Sequence, residues 1–433
     1  MRIAVLGAGS AGHMAVAHLA HYVPWASITH IFDPRTPTIG VGEGTTPVFT
    51  DWSRRVLGWD LHELEHRCDA TPKAGIVFEG WGSTDSDYTH FFGTAEGSAC
   101  HLSAARLASA LGDRSNADVI GERVERVHSD ADRVIVTTES TDLVFDAVVD
   151  ARGFPPATDG HVTFSAIPTS AALLTRGPPS WPRDRTRAVA RSDGWTFVIP
   201  LGSETAYGYV HGGSDRASAH VDFEDFLSAE GVTERLPIRS LTFPNFRRTT
   251  PFGDRVFSVG NRAGFIEPLE ATALGMTVLQ LNLATLAILD RALGRSDVPM
   301  DAINHELTRT MDEGAAFVAW HYARGSSHPT SFWTDAARRF ATWERSVASD
   351  QRDRFRSFAR RGEALPPRLA LADTIDEVDR ALEGACPRFD TFGGFLDVSF
   401  AKVGHGIGWY QSPASSRPER EREPGAGIEP ATT

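Results

Sequence analysis

Apolar and polar positions recur with different periods along the chain. IAVL, residues 3–6, is a short unbroken apolar run; a glycine-rich turn follows, then GHMAVAHLAHY, which gathers Ala and Leu on one helical face. SITHIFD is a second β-branched run and ends on an acid, so strand, helix and strand predict a βαβ opening. PTIGVGEGTTP, between Thr36 and Pro47, is too rich in Gly, Pro and Thr for regular structure and reads as a loop close to whatever the first turn binds. RVIVTTES and LVFDAVVDARG have strand periodicity, and a β-rich middle containing GWTFVIP and AYGYVHGG follows. VFSVGNRAGFIEPLEATALG returns to strand, glycine turn and helix, and beyond Asn304 HELTRTMDEGAAFVAWHYA and DEVDRALEGA are helical patterns. The tail SSRPEREREPGAGIEPATT, charged and rich in Pro and Gly, cannot build a core and is expected to be disordered.

This order predicts an α/β fold with a nucleotide-binding core over residues 1–300, discontinuous because a β-rich region is inserted in it. A mainly helical portion over 301–414 and a disordered tail over 415–433 follow. The 433 residues allow two or three domains, and 41% hydrophobic content is ordinary for a globular chain. A net charge of −13 argues against nucleic acid or an anionic membrane as partner, since both need clustered Lys and Arg. Cys68, Cys100 and Cys386 are far apart, odd in number and in no metal-ligand spacing. No metal site and no disulfide framework are expected, and the reduced cytoplasm is the expected location. The apolar N-terminus reads as a buried strand rather than a signal peptide. The run TVLQLNLATLAIL carries Thr277, Gln280, Asn282 and Thr285, which suits a core helix better than a membrane span.

Gly7, Gly9 and Gly12 spell GxGxxG directly after the first strand, with Ala11 in the same turn, and Asp33 closes the second strand roughly 20 residues on. Such glycines let backbone N–H groups approach a pyrophosphate at a helix N-terminus, and the acid takes ribose hydroxyls. A second glycine turn, FSVGNRAGF, returns some two hundred residues later and contributes Gly260 and Asn261. A simple NAD domain closes within its first half, so the late return favours FAD.

FIEPLEATALGM sets Glu267 and Glu270 in an otherwise apolar segment. Isolated acids are costly to bury, so they are solvated, paired or put to use.

These segments together resemble the flavin-dependent tryptophan halogenases. GAGSAGHMA is similar to the first glycine turn of that family. TPTIGVGEGTTPVF resembles its flavin strap, which makes Gly42, Glu43 and Gly44 cofactor contacts. TPKAGIVFEGW resembles the segment of its active-site lysine, GWTFVIPL its WxWxIP signature, and GFIEPLEAT the segment of its catalytic glutamate. The resemblance implies that Lys73 and Glu270 are the catalytic pair. It implies reduced FAD, oxygen and a halide, chloride or bromide, as reactants, with FADH2 coming from a separate flavin reductase. Hypohalous acid then travels through the protein interior to the lysine. The halide is expected near the backbone of Thr272 and Ala273. THFFG and WHYARGSSHPTSFW resemble substrate-proximal segments, which assigns His90, Phe92, Tyr322, Phe332 and Trp333 to the substrate. Glu267 is left a structural or supporting role.

The chain departs from the family pattern at several positions. Ala273 replaces a glycine, Phe197 a second tryptophan, His328 an acid that binds the free amino group, and His321 a tyrosine of some members. The expected substrate is therefore an electron-rich aromatic ring of indole type, free or within a peptide, and a homodimer remains open. Two other readings stand beside this one: a flavin monooxygenase or oxidase without halide chemistry, and a flavin-binding sensor or inactive homologue. On composition alone Lys73 is a solvent-facing lysine, Glu270 a helix-terminal acid and the aromatics core.

Overall fold

The computed structural model describes residues 1–36, 42–84, 87–92, 99–156, 160–180, 182, 184–295, 297–371, 374, 377, 380 and 390–410. The expected disordered tail, Cys386, nearly all of DEVDRALEGA and the first half of the strap segment lie outside the described residues.

IAVL forms the centre of a five-stranded parallel sheet because a strand covered on both faces needs an unbroken apolar run. Ile3, Ala4, Val5 and Leu6 are all fully buried. The strand order is Val256–Ser258, Ala147–Asp150, Arg2–Leu6, Ser27–Ile31 and Asp118–Ile120, every pair parallel. The edge strand Val256–Ser258 arrives from beyond the chain's midpoint, as the second glycine turn led one to expect. The helix Ser10–Tyr22 packs on this sheet through Met14, Ala15, Val16 and Leu19.

LVFDAVVDARG does not run as one strand. Asp142–Phe145 pairs antiparallel with Val134–Thr138, whereas Ala147–Asp150 joins the parallel sheet. The chain changes sheets at Asp146, whose carboxylate accepts the Arg2 amide at 2.6 Å, a contact that alternation along the chain cannot signal.

The β-rich middle builds a seven-stranded sheet in the order Arg239–Thr242, Ala171–Gly177, Thr205–His211, Gly194–Pro200, Arg185–Arg191, Gly75–Glu79 and Tyr88–Phe91. A third sheet pairs Gly42–Gly44 and Thr71–Lys73 with the two ends of Ala99–Ser103. It borders the seven-stranded sheet, Gly42–Gly44 against Gly194–Pro200 and Thr71–Lys73 against Arg185–Arg191. The helices Met300–His321, Ser331–Ser346, Ser349–Glu363 and Asp397–Gly406 enclose a core rich in Phe and Trp behind the seven-stranded sheet. Among the described residues Thr272–Ala292 is long and apolar enough to cross a membrane, yet its Thr277, Gln280 and Thr285 are buried in the protein.

Candidate active site

The chain turns at Gly7 with φ +101°, where an added Cβ would lie 2.6 Å from the Ala151 carbonyl oxygen. Only glycine holds this turn without strain. At Gly12 an added Cβ would fall 1.9 Å from the Gly7 oxygen, so the helix packs against the turn only because no side chain intervenes. Gly9 caps the helix and faces open space, with nothing within 4 Å of an added Cβ. Free N–H groups with room above them are what a pyrophosphate requires.

That room belongs to a cleft of about 470 Å³. Gly7, Gly9, Ala11, Asp33, Glu43, Gly44, Gly260 and Asn261 line it; Gly12 does not. Asp33 accepts two hydrogen bonds from the Arg35 guanidinium, at 2.7 and 3.1 Å, which holds its carboxyl below the usual range. Burial raises the Glu43 carboxyl to about 7. Gly260 lies against the turn, where an added Cβ would be 2.6 Å from Ala11 Cβ, and donates its amide to Gln280 Oε1 at 2.7 Å. Trp195, Phe197 and Ile199, alternate residues of one strand, form an apolar wall. The glycine turn, the open helix end, the acid just past the second strand and the Gly260–Asn261 turn packed on Ala11 fit a flavin dinucleotide.

Lys73 ends the short strand Thr71–Lys73, tied down by the Thr71 hydroxyl, which donates to the Pro200 carbonyl at 2.7 Å. Its side chain is fully buried at the cleft wall. The amine donates to the Thr45 carbonyl at 3.1 Å and lies 4.7 Å from the Phe92 ring centroid. Burial lowers the Lys73 pKa to about 7, and the Glu270 charge opposes that shift. On the strap, an added Cβ at Gly44 would lie 2.9 Å from Lys73 Nζ and 3.4 Å from Ala271 Cβ. The lysine and the residue after Glu270 thus flank one glycine.

Glu270 ends a 3-10 turn, Pro268–Glu270, and is fully buried. Ala271 follows with φ +55°, a left-handed conformation that a non-glycine residue holds only where its surroundings impose it. It separates the turn from the helix Thr272–Ala292, so Glu270 precedes the helix instead of lying in its first turn. Thr272 and Ala273 occupy that first turn, where N–H groups lack intrahelical partners, and line a second cavity of about 20 Å³.

Both oxygens of Glu270 face imidazoles: Oε2 lies 2.8 Å from His90 Nδ1 and Oε1 lies 2.7 Å from His321 Nε2. Burial pushes this carboxyl up, but the charges and hydrogen bonds of the two histidines outweigh it and bring it to about 2. Glu267, equally buried, accepts from the Tyr322 hydroxyl at 2.5 Å and from Thr169, and burial raises it to about 7.

The structure brings Phe92 to Lys73, His90 to Glu270 and Tyr322 to Glu267, and packs Phe332 and Trp333 against Tyr322. Tyr322 stacks on Trp333 at 5.6 Å, and the Trp333 ring N–H donates to the Arg191 carbonyl at 2.7 Å. Phe332 packs edge-on to Trp333, and none of the three lines the cleft. A His328 ring nitrogen lies 3.1 Å from the Ala190 carbonyl. The residue pattern carried no signal for Thr45 against Lys73 or for His321 against Glu270. Both contacts form only when separate sheets and helices close on one another.

A model of the tryptophan halogenase family matches residues 2–104 and 95–363. Tryptophan 7-halogenase RebH of Lentzea aerocolonigenes is 24% identical over 417 residues, spanning 77% of this chain and 78% of RebH. Among solved structures, tryptophan 6-halogenase SttH of Streptomyces toxytricini shares the fold with a TM-score of 0.75 at 19% identity, over 94% of this chain and 90% of SttH. MibH, a lanthipeptide tryptophan 5-halogenase, does so with a TM-score of 0.74 at 22% identity, over 97% and 88%.

Proposed function

Since the chain belongs to the tryptophan halogenase family, we propose that it chlorinates or brominates an electron-rich aromatic ring of indole type, with Lys73 and Glu270 as its catalytic residues. The family is flavin-dependent and uses FADH2, halide and oxygen. The residues of the glycine turn, Asp33 and the Gly260–Asn261 turn would hold reduced FAD in the cleft, where with oxygen it would supply the oxidising equivalent that turns halide into hypohalous acid.

The remaining work falls to the protein's own side chains and amides. The N–H groups of Thr272 and Ala273 hold the halide beside the cleft, at the positive end of a helix. Trp195, Phe197 and Ile199 separate the flavin from the substrate. The buried Lys73 amine polarises the oxygen–halogen bond by hydrogen bonding when protonated, or takes up the halogen as a haloamine when neutral, and a pKa of about 7 makes both forms accessible at neutral pH. Glu270 accepts the proton that the ring loses. His90 and Phe92 flank the ring. The observation that carries this reading is that Lys73 and Glu270 are both fully buried, with Lys73 Nζ and Ala271, the residue after Glu270, both beside the strap glycine Gly44.

FADH2 comes from a separate flavin reductase, in keeping with the single dinucleotide fingerprint. RebH and SttH are named for tryptophan and MibH for tryptophan in a lanthipeptide. The substrate here is an indole ring, free or within a peptide, and the imidazole of His328 offers no acid to a free amino group. The enzyme works in a reducing cytoplasm, a placement supported by the free, buried Cys68 and Cys100.

The test is mass spectrometry of products from a panel of indoles and indole-bearing peptides, supplied with FAD, reductase and either halide. A mass shift with the chlorine or bromine isotope pattern, lost in Lys73→Ala, supports the proposal. Oxygenated product formed without halide would point to a monooxygenase instead, and wild-type halogenation by Lys73→Ala would falsify the assignment of the lysine.

A further inference from the structure

His321 closes the helix Met300–His321 and is fully buried. Its Nδ1 lies 3.0 Å from the Phe317 carbonyl oxygen, one turn back. A carbonyl only accepts, so Nδ1 carries a hydrogen. In a neutral ring of that tautomer Nε2 is a bare acceptor, yet it lies 2.7 Å from Glu270 Oε1. Two bare acceptors repel at this distance, so the pair holds one proton, although the angle between the two atoms is too poor for a hydrogen bond. That proton sits either on the ring, giving imidazolium and carboxylate, or on the acid, giving two neutral groups.

The surroundings decide between these states. His321 stands at a helix C-terminus, where the backbone dipole favours a cation. The charged and titratable groups around the pair come from three places: Lys73 from the strand Thr71–Lys73, Tyr88 and His90 from the strand Tyr88–Phe91, and Glu267 from the residue before the 3-10 turn. Lys73 and Tyr88 feel the Glu270 charge, while Glu267 feels His321. His90 meets the second Glu270 oxygen through Nδ1, and its charge, the largest influence lowering the Glu270 carboxyl, acts together with that of His321. Imidazolium at His321 leaves the pair with no net charge.

We infer that His321 is a positioning residue that keeps Glu270 ionised in a water-poor chamber, a role that rests on the proposed function of Glu270. Without a counter-ion a buried carboxylate takes up a proton, and an acid already protonated cannot accept the one the ring releases. His321 acts through Glu270 and touches neither substrate nor flavin.

The experiment has a kinetic arm and a spectroscopic arm. His321→Gln retains a donor near the Nε2 position but no charge, so halogenation by this variant should fail on the acid side, with the apparent pKa of the acid limb raised by about one unit or more. A His321→Gln profile that superimposes on the wild type overturns the inference. In the infrared, the wild-type minus Glu270→Gln difference spectrum in mildly acidic buffer should show a carboxylate band. A protonated-carboxyl band there overturns the inference too, and this measurement needs no His321 variant to fold. If Glu270→Gln still halogenates at the wild-type rate, the catalytic reading of Glu270 fails, and the infrared arm still reports whether His321 holds it ionised.

Discussion

Lys73 Nζ and the Thr45 carbonyl oxygen lie 3.1 Å apart, and this hydrogen bond joins a buried amine to the strap that borders the cofactor cleft. The strap strand itself pairs with Ala99–Ser103, so the amine, the strap and the cleft wall are held as one unit. A single neutral acceptor does not compensate for removing an ammonium from water, which is why burial lowers Lys73 to about 7.

That shift makes a stability prediction. Between about 7 and the ordinary value of 10.5 the folded state binds fewer protons at Lys73 than the unfolded state, so stability rises with pH across that window and is flat below it. Lys73→Met has no such group. Its stability minus that of the wild type should fall as pH rises from 7 towards 10, by at most about 1.4 kcal/mol per pH unit. Denaturant titrations of the flavin-free proteins at several pH values measure this. A difference that does not change with pH means that the amine keeps its usual pKa.

Gly44→Ala should separate position from stability. The added methyl group meets Lys73 Nζ at 2.9 Å and Ala271 Cβ at 3.4 Å. The first neighbour is the end of a flexible side chain and yields easily, so the change in stability should stay within about 1 kcal/mol. Displacing the amine by a fraction of an ångström should nevertheless lower halogenation about tenfold or more, because the transfer depends on alignment. Thermal melts and product formation together test this, and unchanged turnover would show that the chamber tolerates a moved amine.

For Glu270 the sign is reversed. Its folded value of about 2 lies below the ordinary 4.5, so its stabilising contribution is complete above the unfolded value and is lost as pH falls through the folded one. Glu270→Gln should therefore be destabilised at neutral pH, by roughly 3–5 kcal/mol if His321 is left charged and unpaired. That deficit should shrink below about pH 4.5. In a double-mutant cycle with His321→Phe, the two single costs should exceed the double cost by about 0.5–3 kcal/mol. Additive costs would mean that the two side chains do not interact.

How far the residues alone reveal this molecule depends on the range of the interactions concerned. Gly7 and Gly12 were legible because the turn, the strand before it and the helix after it are neighbours in sequence, and the steric need for glycine is local. Lys73 reads as an exposed lysine until Thr45, 28 residues away, and the Phe92 ring close over it. The His90–Glu270 contact spans 180 residues, and no periodicity encodes it. Aromatic spacing likewise cannot tell a ring that stacks on a ligand from one that stacks on another ring. Tyr322 and Trp333 stack on each other, with Trp81 edge-on to both.

Ala273 bears on the choice of halide. With Thr272 it lines the cavity of about 20 Å³, large enough for a single water or a monatomic ion. Its methyl group occupies space at the end of the helix where an anion would meet free N–H groups. Chloride fits such a space more readily than the larger bromide. Ala273→Gly should widen the cavity for a helix cost of about 1 kcal/mol or less. The bromide-over-chloride ratio of kcat/KM should then rise several-fold, read from the isotope patterns of products formed with both halides present. A ratio equal to that of the wild type would place the halide elsewhere than against the Ala273 methyl group.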